Sequence, residues 1–333
     1  MTGGPGPRSG RREVKHYQPI KAMARKYRNF VYDENQRFIY PTSDWGFKYL
    51  LGTEQNKDIL LGILQEMLPD LGIETLDYLP QEVGLPIGKM KRARFDVHCR
   101  LHDGGRIVVE MQNYAHEAFL DRAVVYTSAA VVDNYVNSAA KEYRIGKTVF
   151  IAFVGDPLFK DTPRTPIRLS LCDIDEVETT LRCDNLLQIF VELPKFAGSI
   201  RDITDSTPFV EQLAHVLMEM ADCDEVPENL TNPLLKRLFD AADTKSMTEN
   251  VKENYWSSIM SEADYEYHMC GARKEGLAEG LAEGLAEGRA EGRAAAAKEM
   301  AAKLKAAGVD AATIASCTSV SEEEISLIDA LPL

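Results

Sequence analysis

The sequence predicts an α/β fold: a mixed sheet flanked by helices, followed by a helical C-terminal region. Three observations predict it. Phe95, Val97, Cys99 and Leu101 alternate with Asp96, His98 and Arg100, and past His102-Asp103-Gly104-Gly105 a second alternation runs through Ile107, Val109 and Met111. Two half-buried strands joined by a glycine turn have this pattern. Thr148 to Val154 is an unbroken apolar run of strand length, as an interior strand covered on both faces requires. Helical periodicities precede, separate and follow these strands, which places helices on a sheet.

In chain order, residues 1–30 form a basic tail, rich in Gly, Pro, Ser and Arg and without a sustained apolar period, so disorder is expected there. Residues 31–200 form the α/β domain. Within it, Ser43 or Asp44 starts a helix whose apolar face is Phe47, Leu50 and Leu51. A second helix near Lys57–Met67 carries Ile59, Leu60, Ile63, Leu64 and Met67, and Pro69 and Gly72 end it. Residues 75–90 read as strand and turn, punctuated by Pro80, Gly84, Pro86 and Gly88. After the hairpin, a helix over about Glu117–Ser138 presents Phe119, Val124, Val125, Val131, Val132 and Val136 as its expected core stripe. Further strands are expected at Ile167–Cys172 and Leu186–Val191.

Residues 201–270 form a helical extension with stripes at Phe209, Leu213, Leu217 and at Leu234, Leu235, Leu238. Residues 271–297 are a Glu/Gly/Ala repeat linker. Each interior glycine of EGLAEGLAEGLAEGRAEGRA costs a helix roughly 1 kcal/mol against alanine, so helical tendency is all that is expected. Its four-residue period drifts around a 3.6-residue helix and gives no straight seam. Residues 298–333 form a small helical tail with a capping-box spacing at Ser321 and Glu324. These C-terminal helices are candidates for homo-oligomer formation.

Composition narrows the function. No apolar stretch reaches the roughly 20 residues that span a bilayer, so no membrane partner is expected. The six cysteines are scattered without a CxxC pair, which fits reduced thiols and a cytoplasmic location. The formal net charge is −14, yet residues 1–30 hold eight basic side chains against Glu13, or +7, leaving −21 elsewhere. A second basic cluster, Lys89, Lys91, Arg92 and Arg94, directly precedes Asp96. Such clusters are either solvated surface or phosphate contacts beside a reactive centre.

The hairpin carries the candidate centre. Glu110 and Gln112 share a face, and a loop at Asp103–Gly105 would set Asp96 opposite Gln112 and diagonal to Glu110. Diagonal neighbours lie roughly 7–8 Å apart, so both carboxylates can reach one divalent ion. Asp44 is a candidate third carboxylate if its helix packs on the hairpin. Arg122 and Tyr126, one helical turn apart, follow the hairpin closely. Taken singly, these residues also fit solvent-facing strand acids, a plain helix cap at Asp44 and a structural His98.

The order and spacing of Pro41-Thr42-Ser43-Asp44-Trp45-Gly46-Phe47-Lys48, Arg94-Phe95-Asp96-Val97, Val109-Glu110-Met111-Gln112 and Arg122-Ala123-Val124-Val125-Tyr126 resemble one family. It is the recombination-promoting nuclease, or transposase-like, family of the PD-(D/E)XK superfamily, and the resemblance covers about residues 38–200. It implies a restriction-endonuclease-like fold and a DNA endonuclease dependent on Mg2+, with Mn2+ as the alternative ion. By that resemblance Asp96, Glu110 and Gln112 are catalytic. It also implies Asp96 and Glu110 as metal ligands, with Asp44, matching the acidic residue on the first helix of that fold, as the third; Lys48, Lys91, Arg92, Arg94, Arg122 and Tyr126 are the expected DNA contacts. Gln112 stands where the superfamily motif has lysine, which removes a positive charge. The alternative function is therefore a weak or inactive DNA-binding or scaffolding protein on the same fold.

Overall fold

A computed structural model of the 333-residue chain describes residues 30–83, 93–114, 118–136, 145–173 and 182–328. The basic tail up to residue 29, together with Lys89, Lys91 and Arg92, lies outside the described residues. The elements run α1 (Asp44–Leu51), α2 (Lys57–Met67), β1 (Leu76–Tyr78), β2 (Glu82–Val83), β3 (Ala93–Arg94), β4 (Val97–Leu101), β5 (Arg106–Gln112), α3 (Phe119–Val136), β6 (Thr148–Val154), β7 (Ile167–Cys172), β8 (Arg182–Glu192), α4 (Phe209–Glu219), α5 (Pro233–Ala242), α6 (Glu249–Ala306), α7 (Ala311–Thr318) and α8 (Glu322–Leu327). Two compact units divide the chain, Met1–Ala263 and Asp264–Leu333.

The first unit is built on a six-stranded mixed sheet of order β1-β4-β5-β6-β8-β7. β5, β6 and β8 are parallel, and β1, β4 and β7 run against their neighbours. β6 is buried along its whole length, as its uninterrupted apolar run requires. One face of the sheet, with Val97, Val109, Ile151 and Ile189, packs on α1, α2, α4 and α5 in a single core. Leu213, Leu217, Leu235 and Leu238, from the expected 201–270 extension, are among its buried members, and so are Tyr255 and Ile259 of α6. The opposite face, with Val108, Phe150, Ala152 and Phe190, is covered by α3.

α3 buries Phe119 as expected, but the rest of its inward stripe is not the expected valines. Val124, Val125 and Val136 are more than half exposed, while Phe119, Ala123, Thr127, Ala130 and Asn134 face inward. The sheet beneath explains the choice. Gln188 of β8 projects at the helix, and its Nε2 donates to Thr127 Oγ1 (2.8 Å) and to the Ala123 carbonyl (3.3 Å). A buried amide needs such acceptors, and small side chains let the helix come close enough to provide them.

In the second unit the Glu-Gly repeat is helical, as part of α6, and Leu277, Leu281 and Leu285 on it are exposed. The end of α6 packs with α7 and α8 around Ala301, Ile314, Val320 and Ile325. The capping box at Ser321 and Glu324 forms as the spacing predicts. Lys305 Nζ donates to the carbonyls of Ile325, Ser326 and Ile328, satisfying the end of α8.

Candidate active site

Asp96 immediately precedes β4, and the pairing of Val97 with Val109 sets it directly across from Glu110. The register differs by two residues from the expected one, which set Asp96 against Gln112. The turn is the cause. Gly104 N–H donates to the Leu101 carbonyl and Leu101 N–H to the Gly105 carbonyl, so the hairpin closes over His102–Gly104, with Gly104 at φ +87°. A shift of two preserves the face on which each side chain lies, so Glu110 and Gln112 still share theirs.

The two acids hold one another. Asp96 N–H donates to Glu110 Oε1 at 3.0 Å, and Asp96 Oδ2 accepts from Met111 N–H at 3.0 Å. The Glu110 side chain is 3% exposed and that of Asp96 18%. Burial raises the Asp96 carboxyl, although the Met111 N–H and the Lys48 ammonium pull it down. Burial, then the charge of Asp96, pushes Glu110 up to about 8. Desolvated carboxylates this close are unfavourable as two bare anions. Two hard oxygen donors brought together in a poorly solvated site suit a hard divalent cation, and Asp96 and Glu110 are the residues that would hold it.

Two cations flank the pair. Lys48 Nζ lies 3.4 Å from Asp96 Oδ1 and donates to Asp44 Oδ1. Arg122 Nη2 lies 3.7 Å from Glu110 Oε2, and its guanidinium stacks 4.7 Å from the centroid of the Tyr126 ring. Tyr126 in turn meets Phe95 edge-on at 5.3 Å. Gln112 Oε1 accepts from Arg122 Nη1 at 3.4 Å, and its Nε2 donates to the Tyr114 carbonyl. Among the described residues, no group of three or more His, Cys, Asp or Glu side chains converges as a metal cluster. Asp44 meets the pair through the ammonium of Lys48. Arg94 is exposed and pairs across β3 with Glu82 of β2. His98, on the same face as Asp96, is buried, with Nδ1 3.1 Å from the Pro80 carbonyl oxygen.

Of the two cap candidates in the sequence, Ser43 caps α1, its Oγ accepting from Gly46 N–H. Other residues that fix this geometry carry no local sequence signal. Asn113, just past β5, donates through Nδ2 to the Thr42 carbonyl at 2.7 Å and so ties the start of α1 to the end of the site strand. Glu262 Oε2 accepts from Asp44 N–H at 3.2 Å, a carboxylate at a helix N-terminus. Gly46 is the exception, because glycine inside a helical pattern marks a close approach. A Cβ there would run into the Tyr40 carbonyl oxygen. Gly46→Ala is therefore expected to destabilise the fold by about 1–3 kcal/mol, read as a lower midpoint in urea, because the opposing atom is backbone. An unchanged midpoint would mean that α1 docks otherwise.

A family model described as PD-(D/E)XK nuclease family transposase matches residues 41–272, from just before α1 into α6. No curated protein and no solved structure matches the chain significantly.

Proposed function

The chain belongs to the PD-(D/E)XK nuclease family transposases, and from that membership we propose that it is an endonuclease hydrolysing DNA phosphodiester bonds with Mg2+ or Mn2+ held by Asp96 and Glu110. The observation that carries this reading is the pairing of two desolvated carboxylates across the hairpin, with Lys48 and Arg122 beside them. A divalent ion at such a pair supplies a lowered water pKa and a counter-charge for the phosphate. The Met111 N–H orients Asp96, and the Asp96 N–H orients Glu110, so both carboxylates are fixed before substrate arrives. Arg122 is set to meet a DNA phosphate at the Glu110 side, and Tyr126 supports it by stacking. Arg94, with Lys91 and Arg92, would extend the phosphate contacts. Among the described residues, no helix is long and apolar enough to cross a membrane.

Gln112 favours a second reading. Where a lysine would add charge, its amide is engaged by Arg122 and Tyr114, which is compatible with a DNA-binding protein of weak or no activity. Purified full-length protein incubated with supercoiled plasmid separates the two. Nicking that requires Mg2+ or Mn2+ and stops in chelator supports the endonuclease. DNA retarded on a gel but left uncut in every metal supports the second reading, and nicking that persists in chelator contradicts the first.

A further inference from the structure

Gln112 leaves the site without the lysine expected beside its second acid, yet a lysine ammonium is present from another element. Lys48, in α1, reaches Asp96 Oδ1 at 3.4 Å, and its side chain is 24% exposed. It arrives there because α1 is fixed at three points: the Ser43 cap, the Asn113 bond to Thr42, and the Glu262 carboxylate on Asp44 N–H. One turn earlier on the same helix, Asp44 accepts from the Lys48 Nζ, the i to i+4 spacing that lets two helical side chains meet. Gln112 carries no charge, and both ends of its amide are engaged elsewhere.

We propose that Lys48 is the catalytic cation of this site, supplying from α1 the positive charge that position 112 lacks, and that Asp44 is its positioning residue and not a metal ligand. The inference rests on the endonuclease reading. In hydrolysis a water oxygen bonds to phosphorus as the ester P–O bond breaks; the water gives up a proton to solvent, the departing sugar oxygen takes one from solvent, and negative charge builds on the phosphate oxygens in between. A preorganised ammonium beside the carboxylate pair stabilises that charge while keeping its own protons throughout. Of its three N–H donors, one is taken by Asp44 and one faces Asp96, which leaves a donor for a phosphate oxygen. Lys48 would thus be a participant in the chemical step, and a peripheral DNA contact would not need this anchoring.

The test compares wild type with Lys48→Met, Lys48→Arg and Asp44→Asn in full-length protein, by plasmid nicking over a range of DNA concentrations and by calorimetric titration with Mn2+ alone. Lys48→Met is expected to lower kcat by roughly 10²-fold with KM nearly unchanged, as for loss of one charge-stabilising donor. Lys48→Arg should keep part of the rate, and Asp44→Asn should lose about tenfold by leaving the ammonium unanchored. Because Lys48 shares Asp96, its removal should tighten Mn2+ binding several-fold, a result that needs no activity. A Lys48→Met enzyme with normal kcat and raised KM would overturn the proposal in favour of a simple DNA contact. Weakened Mn2+ binding in Asp44→Asn would overturn it in favour of Asp44 as a ligand. Wild type that never nicks would refute the endonuclease reading, and the Mn2+ titrations would then decide alone whether Lys48 sits at the acid pair.

Discussion

Glu110→Gln is expected to reduce metal-dependent cleavage by roughly 10³-fold or more, while making the metal-free protein more stable above pH 7. The two effects have one cause. Glu110 is buried against Asp96, so its charged form is costly, and burial first and the Asp96 charge second push its carboxyl up to about 8. A raised carboxyl weakens the fold as pH climbs. The penalty is absent below the ordinary value of 4.5, grows as pH rises and levels off above about 8. Glutamine keeps an acceptor for Asp96 N–H but never ionises. The variant should therefore match wild type near pH 4.5 and exceed it by on the order of 1–2 kcal/mol at pH 8. Urea denaturation at both pH values in chelator measures this. Equal stability at pH 8 would show that the pair is not electrostatically strained.

Glu192→Ala is expected to be among the most destabilising single changes in the first unit, at about 3–5 kcal/mol, because it leaves a buried ammonium without its partner. Glu192 ends β8 at the same edge of the sheet as Gln112 and Val154 and is fully buried. Its Oε1 accepts from Leu158 N–H (2.6 Å) and Phe159 N–H (3.0 Å), and its Oε2 meets Lys195 Nζ. Lys195 also donates to the Phe159 carbonyl at 2.7 Å. These bonds fold the chain that leaves β6 back over the sheet. The strand end is bound to the site strand as well, through Gly155 N–H and the Gln112 carbonyl. Glu192→Leu combined with Lys195→Met removes both charges and should recover much of the loss. A single variant as stable as wild type would contradict the buried pair.

How far the sequence alone reaches is clear from these same residues. Alternation and a glycine turn placed Asp96 and Glu110 on one hairpin, and the Lys57–Met67 and Thr148–Val154 patterns matched their elements, because each signal is local and periodic. The register was not legible. Parity follows from alternation, but the closing residue depends on which carbonyls Gly104 and Leu101 satisfy. Beyond Phe119, the buried face of α3 is not legible either, for a related reason. Valines outweigh alanines in any hydrophobic pattern, while the choice of face was made by Gln188, more than fifty residues later. The sequence suggests a DNA contact for Lys48 and gives no signal for Glu262; their meetings with Asp96 and Asp44 depend on how α1 docks, which no local pattern encodes.

The most direct test of the whole account is nicking by wild type and Asp96→Ala, purified side by side and assayed in Mg2+, in Mn2+ and in chelator. The account predicts cleavage by wild type in metal only and none by Asp96→Ala, with both proteins melting as folded species. Equal cleavage by the two would place the chemistry elsewhere and contradict the assignment of the hairpin as the active site.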